Sequence, residues 1–285
     1  MQKLGANPKS LEVFEEVLNM NFSEILSTET NRYAEQEIKK EQCPSKKRDV
    51  ERFPVTVEEM KAYFALCIIM SQIKKSDIKM YWSKRPIVLT PIFAQTMSLR
   101  RFLAISHFLH FADNEKADDN DKLKKIRNIV NYLNDKFTNL YTSKSSICID
   151  ESLMKYKGRL SFVQFIASKR ARFGIKYYKL CESESGYCSQ FKIYIGKDKI
   201  DDMPASESVV MELSKHVLGK GYTIYLDNWY SSPNLFLNLL KNDTNAVGTI
   251  RKKQEKHAKG TFKIKTEKRR SSKSLQSRFT SFEMV

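Results

Sequence analysis

The hydrophobic period of this 285-residue chain changes near Ser143, and that change restricts its fold more than any other feature. Before it, apolar residues recur at helical spacing. After it, short runs rich in Ile, Tyr and Phe take over. In the first region Leu11, Phe14, Val17 and Leu18, then Phe22, Ile25 and Leu26, predict helix over 8–36. A polar, basic connector follows over 37–52. Thr56-Val57-Glu58-Glu59 then reads as a capping box, in which each side chain reaches the other's backbone N–H. That helix carries Met60, Phe64, Cys67 and Ile68 and is expected to end near Ser71. Thr90-Pro91 opens another helix, and further helices are expected over 98–111 and 123–141.

Past Ser143, β-patterned runs occupy 147–149, 175–181 and 187–195, the last two joined as a hairpin through Glu182-Ser183-Glu184-Ser185-Gly186. A helix over 206–217 closes at Gly219-Lys220-Gly221. A strand then runs to Leu226, a helix opens at Ser232-Pro233, and a final strand covers 246–250. The glycines at 219 and 221 precede a strand and lack a phosphate-loop pattern, so they read as a turn. The order β, β, β, α, β, α, β predicts an α/β domain with a mixed sheet, compatible with a ribonuclease-H-like core. The expected organisation is a helical region over 1–142, the α/β core over 143–250 and a basic tail over 251–285.

Hydrophobic content of 41% and aromatic content of 11% predict a folded, globular chain. The opening residues carry no signal-peptide pattern, and the apolar run over 62–70 is well short of the roughly 20 residues a spanning helix needs. No membrane association is therefore expected. The net charge of +17 favours a polyanionic partner. Residues 251–285 hold twelve Lys/Arg against three Asp/Glu (+9), and the first 250 hold the remaining +8 (38 − 30). The tail reads either as a solvated extension or as a contributor to DNA affinity and nuclear import through Lys268-Arg269-Arg270. Cys43, Cys67, Cys148, Cys181 and Cys188 show no CxxC spacing and are expected to be buried thiols. No zinc site is expected. His107 and His110 lack partner ligands at metal-binding spacing.

Two aspartates follow β-runs: Asp150 after Ser146-Ile147-Cys148-Ile149, and Asp227 after Tyr222-Thr223-Ile224-Tyr225-Leu226, seventy-seven residues apart (227 − 150). Carboxylates at the ends of neighbouring strands supply hard oxygen ligands for divalent metal, the requirement of phosphodiester cleavage. A strand-end Asp that bonds the following turn is the plainer alternative.

The surroundings of both aspartates resemble the piggyBac family of transposases and their domesticated derivatives. The run Asp150-Glu151-Ser152-Leu153-Met154-Lys155-Tyr156-Lys157-Gly158-Arg159 is similar to the family's first aspartate motif. The likeness continues through Lys169-Arg170-Ala171-Arg172-Phe173-Gly174-Ile175-Lys176. Leu226-Asp227-Asn228-Trp229-Tyr230-Ser231-Ser232-Pro233 resembles the second motif, and Val247-Gly248-Thr249-Ile250-Arg251 the strand after it. Upstream, Tyr81-Trp82-Ser83 and His107-Phe108-Leu109-His110-Phe111-Ala112-Asp113-Asn114 also fit.

The resemblance implies a nuclear cut-and-paste DNA transposase acting at TTAA sites, with Mg²⁺ or Mn²⁺ held by Asp150 and Asp227 as catalytic residues. It implies a helical region serving DNA binding and homodimer formation. Lys155, Lys157, Arg159, Lys169, Arg170 and Arg172 are then placed to contact phosphates. Trp229 and Tyr230 either stack on DNA or belong to the core. The family's third aspartate lies further downstream, whereas Asp243 is the last Asp here, and residue-by-residue likeness fades after about Lys252. Glu255, Glu267 and Glu283 are poor substitutes in an unpatterned segment. An incomplete carboxylate set is therefore expected, leaving a weak or inactive cleavage core, or a domesticated, non-catalytic DNA-binding protein.

Overall fold

The computed structural model describes residues 9–39, 54–116, 118–167, 169–196 and 203–249. Two compact units divide at Leu133/Asn134. The first is helical, with α1 (Ser10–Val17), α2 (Met20–Lys39), α3 (Val57–Gln72), α4 (Pro91–Thr96) and α5 (Leu99–Phe108), plus 3-10 turns at Ile78–Trp82 and Pro86–Val88. The division falls inside α6 (Arg127–Leu140).

The single helix expected over 8–36 is broken at Leu18-Asn19, where the Asn19 side chain accepts the Phe22 N–H and starts α2 afresh. The capping box of α3 forms as read: Thr56 Oγ1 accepts from Glu59 N–H, and Glu59 accepts from Thr56 N–H, both at 3.2 Å. Ser98 is the N-cap of α5 rather than its first helical residue. The helix expected from 123 starts instead at Arg127. The Asp121 carboxylate takes the Leu123 N–H and clamps the Arg127 guanidinium, which holds the preceding turn out of the helix. Phe22, Leu26, Met60, Tyr63, Leu66, Phe93, Phe102 and Ile105 form this unit's core.

The second unit is a six-stranded mixed sheet: β1 (Ser146–Lys155), β2 (Gln164–Phe165), β3 (Phe173–Glu182), β4 (Cys188–Ile193), β5 (Thr223–Leu226) and β6 (Asn245–Gly248). Spatial order is β2-β3-β1-β5-β6, with β4 also paired to β3. β1, β5 and β6 run parallel, while β3 is antiparallel to both β1 and β4. The parallel pairs are joined by helical crossovers, α7 (Ala205–Ser214) before β5 and α8 (Pro233–Lys241) between β5 and β6. One sheet face packs Ile147, Ile149, Leu180, Ile224 and Leu226 against Val209, Val210 and Leu213 of α7 and Leu235, Phe236 and Leu239 of α8. Each fully buried Ile or Leu contributes about 1.5–3 kcal/mol, so this layer fixes the sheet's register. The exposed edge of β4 is capped by side chains of α6. The Asn134 amide both donates to the Phe191 carbonyl and accepts its N–H, each at 2.9 Å, as a neighbouring strand would.

The short strand β2 has no counterpart in the sequence reading, because two residues are too few to show a period. Ile250 and the basic tail lie outside the described residues.

Candidate functional site

Asp150 and Asp227 are brought together by the parallel pairing of β1 and β5. The register runs Ser146 with Thr223 through Ile149 with Leu226, so Asp150 and Asp227 occupy the next step on adjacent strands. Neighbouring strands lie about 4.8 Å apart. Both aspartates are solvent-exposed, unlike the buried Ile149 and Leu226 before them.

Asp150 does not end its strand, as the sequence suggested. β1 continues to Lys155 and pairs with β3 alone beyond Ile149. What ends at Asp150 is the parallel ladder, because β5 stops at Leu226. The site therefore sits where one strand outruns its neighbour.

Each carboxylate is oriented locally. One Asp150 oxygen accepts the Glu151 N–H at 2.7 Å, and one Asp227 oxygen accepts the Trp229 N–H at 2.7 Å. The other oxygen of each has no hydrogen-bond partner among the described residues. The Asp227 turn is locked from behind, since its carbonyl accepts the Ser231 hydroxyl at 2.8 Å and the Ser231 N–H at 3.2 Å. Gly248 makes room for this turn: a Cβ there would meet Ser231 Oγ at 2.3 Å.

Exposed carboxylate oxygens suit a hard divalent cation such as Mg²⁺ or Mn²⁺. Among the described residues no group of three or more His, Cys, Asp or Glu side chains is placed to hold a metal ion. Glu151, adjacent in sequence to Asp150, does not join the pair. Successive strand residues point to opposite faces, and Glu151 shares the helix-packed side with its cross-strand partner Tyr178. Its carboxylate lies 3.5 Å from the Tyr230 hydroxyl, at the outer limit of a hydrogen bond.

Tyr230 is core. Its ring is fully buried and meets Trp229 edge-on, with centroids 4.7 Å apart. Burial, with the Glu151 carboxylate next in importance, pushes its phenol well above the ordinary tyrosine range. Trp229 differs. It is partly exposed and lies parallel to Tyr178 at 5.9 Å, and the Lys176 ammonium sits 5.0 Å from its ring.

Sequence reasoning passed over Lys179, which stands directly across from Asp150 in the β1·β3 register. Directly opposed residues have Cβ atoms about 5 Å apart, so a cation adjoins the candidate site. The hairpin between β3 and β4 is visible in the sequence, but nothing there sets the register of β3 on β1.

Lys155 ends β1, Lys157 and Arg159 occupy the turn beyond it, and Lys169, Arg170 and Arg172 precede β3. All six are exposed, and none is ion-paired among the described residues. At about 3.3 Å per residue, Lys155 lies roughly 17 Å along β1 from Asp150.

The thiols expected to be buried are only half-buried. Cys148 is opposite Cys181, and Cys181 opposite Cys188, in a row across three strands, while Cys43 lies outside the described residues. His110 stacks on Tyr33 with centroids 4.2 Å apart and bonds Asn114 at 2.9 Å, a structural role. No helix among the described residues is long and apolar enough to cross a membrane.

The Transposase IS4 family model matches residues 9–284, past the point near Lys252 where residue-by-residue likeness fades. Human PiggyBac transposable element-derived protein 3 is 28% identical over 205 residues, covering 70% of this chain and 34% of that protein. Human PiggyBac transposable element-derived protein 2 is 27% identical over 249 residues, covering 84% of this chain and 39% of that protein. In solved structures, the chain is similar to a piggyBac transposase in a synaptic complex with hairpin DNA. That match has a TM-score of 0.75 and 25% identity, covering 86% of this chain and 52% of that one. The chain thus spans well under two-thirds of the length of each of these relatives.

Proposed function

Since the chain belongs to the Transposase IS4 family, in its piggyBac-type branch, we propose that it binds DNA and carries two aspartates of a metal-dependent strand-cleavage and transfer core. The observation that carries this reading is the adjacency of Asp150 and Asp227 at the end of the β1·β5 ladder. A divalent ion there would polarise a phosphoryl oxygen and lower the pKa of a bound water. Asp150 and Asp227 would hold it, with the Glu151 and Trp229 N–H groups fixing how the carboxylates turn. Lys155, Lys157, Arg159, Lys169, Arg170 and Arg172 would grip phosphates. Lys155, nearest to Asp150 along β1, is already about five nucleotide steps of 3.4 Å away, so the group would address the flanking backbone rather than the reacting phosphate.

A second reading is favoured by one observation, the lack of a third carboxylate beside the pair among the described residues. With only Asp150 and Asp227 to hold it, a divalent ion would compensate transition-state charge less fully, and the barrier would rise by several kcal/mol, on the order of the loss from one electrostatic catalytic group. On this reading DNA binding is the chain's main activity and strand cleavage is slight. TTAA targets, a homodimer and nuclear residence belong to the same proposal. They rest on the resemblance, and Lys268-Arg269-Arg270 lies outside the described residues.

Titration of a labelled DNA duplex at several salt concentrations tests this reading. Binding should weaken steeply with salt, and each phosphate contact removed by charge reversal at Lys157, Arg159, Arg170 or Arg172 should lower the log–log slope by about 0.9. Absence of binding at low salt would refute DNA as the partner. Nicking of supercoiled DNA with Mg²⁺, lost in Asp150→Asn and Asp227→Asn, would refute the non-catalytic reading alone.

A further inference from the structure

Beyond Asp150 the sheet extends as an arm of β1, β3 and the two-residue β2, whose rings are left in the open. Phe165 of β2 and Phe173 of β3 are directly opposed in register, with ring centroids 4.8 Å apart, tilted by 46°. Phe165 is 58% exposed and Phe173 52%. The backbone beneath them is held on both sides: Tyr156 N–H donates to the Phe173 carbonyl at 3.2 Å, and Ile166 N–H to the Arg172 carbonyl at 2.8 Å. Gly174 allows close approach near the outer end of the arm, since a Cβ there would lie 2.2 Å from the Met154 carbonyl oxygen. The rings are thus presented on paired strands.

Their electrostatic setting selects the partner. From Ser152 through Cys181 the chain has eight Lys/Arg and no Asp or Glu. An apolar protein surface laid over the rings would have to desolvate Arg172, next to Phe173, and the exposed Lys169 and Arg170 just before it without compensation, which is costly. Nucleic acid offers phosphates for the cations and flat apolar faces for the rings. Inside a duplex those faces are already stacked, so only an unpaired base can present one.

We propose that Phe165 and Phe173 form a stacking platform for an unpaired base of DNA, flanked by Arg172 and the neighbouring cations on the adjacent phosphates. This rests on the DNA-binding reading and adds to it a preference for single-stranded character next to duplex.

The test compares binding of a short blunt duplex with binding of the same duplex carrying a run of unpaired thymidines. The full chain and a Phe165→Leu/Phe173→Leu variant are measured with both probes. Leucine keeps the apolar bulk and the fold while removing the ring faces. The parent chain should prefer the tailed duplex by about tenfold, the usual worth of one base–aromatic stack. The variant should bind both probes alike, with the parent's blunt-duplex affinity and salt slope. A preference that survives in the variant, or is absent from the parent, overturns the platform while leaving DNA binding intact. Loss of blunt-duplex binding in the variant also overturns it, because the rings would then merely support the cationic loops. Failure of the parent to bind either probe defeats the underlying DNA reading itself.

Discussion

At the residue scale the site depends on which side chains are committed to the core. Tyr230 is sealed in the core of the sheet unit, and among the described residues its hydroxyl has one marginal partner, Glu151. Tyr230→Phe should therefore change unfolding free energy by well under 1 kcal/mol, whereas Tyr230→Ala should cost about 3–5 kcal/mol by leaving a cavity. Denaturant unfolding of both variants checks this, and a large loss in Tyr230→Phe would mean that the hydroxyl, not the ring, is what matters. Trp229 and Tyr230 are neighbours with opposite fates, one partly exposed and one sealed. Their sequence context could not separate them, because the turn after β5 has no period to read.

At the element scale, α3 and β6 make separate predictions. The Arg101 guanidinium grips Glu59 through bonds of 2.8 and 2.7 Å and holds its carboxyl below the usual range, with Thr56 N–H assisting. A depressed folded-state pKa stabilises above the unfolded value and is lost as pH falls through the folded one. Between about pH 5 and pH 3 the parent should therefore lose up to about 1 kcal/mol that Glu59→Gln does not, a small figure because the pair is partly exposed. Thermal melts across that range measure it, and parallel curves would rule it out. In β6, Gly248→Ala drives a methyl into Ser231 Oγ and should destabilise by about 1–3 kcal/mol while disturbing the Asp227 turn. Adding Ser231→Ala should recover part of the loss in unfolding experiments. The elements themselves were largely legible. The α3 capping box, the β3–β4 hairpin and both crossover helices follow from residue type and period. The break at Asn19, the late start of α6 and the continuation of β1 past Asp150 were not legible. Each is decided by a side chain or strand that is distant in sequence or too short to show a pattern.

At the scale of the whole molecule, the two aspartates belong together only because β1 and β5 pair in parallel, with α7 and α8 covering the face beneath them. The sequence suggested both residues but not their register, which is long-range information. Lys179 went unnoticed for the same reason. The most direct measurement is Mn²⁺ binding to the chain, followed by electron paramagnetic resonance and competed with Mg²⁺. A shared site predicts that Asp150→Asn and Asp227→Asn each weaken Mn²⁺ by at least about tenfold, a loss of about 1.4 kcal/mol. The exposed control Asp135→Asn on α6 should leave binding unchanged. Binding at parent strength in either site variant would contradict a metal shared between these two strands.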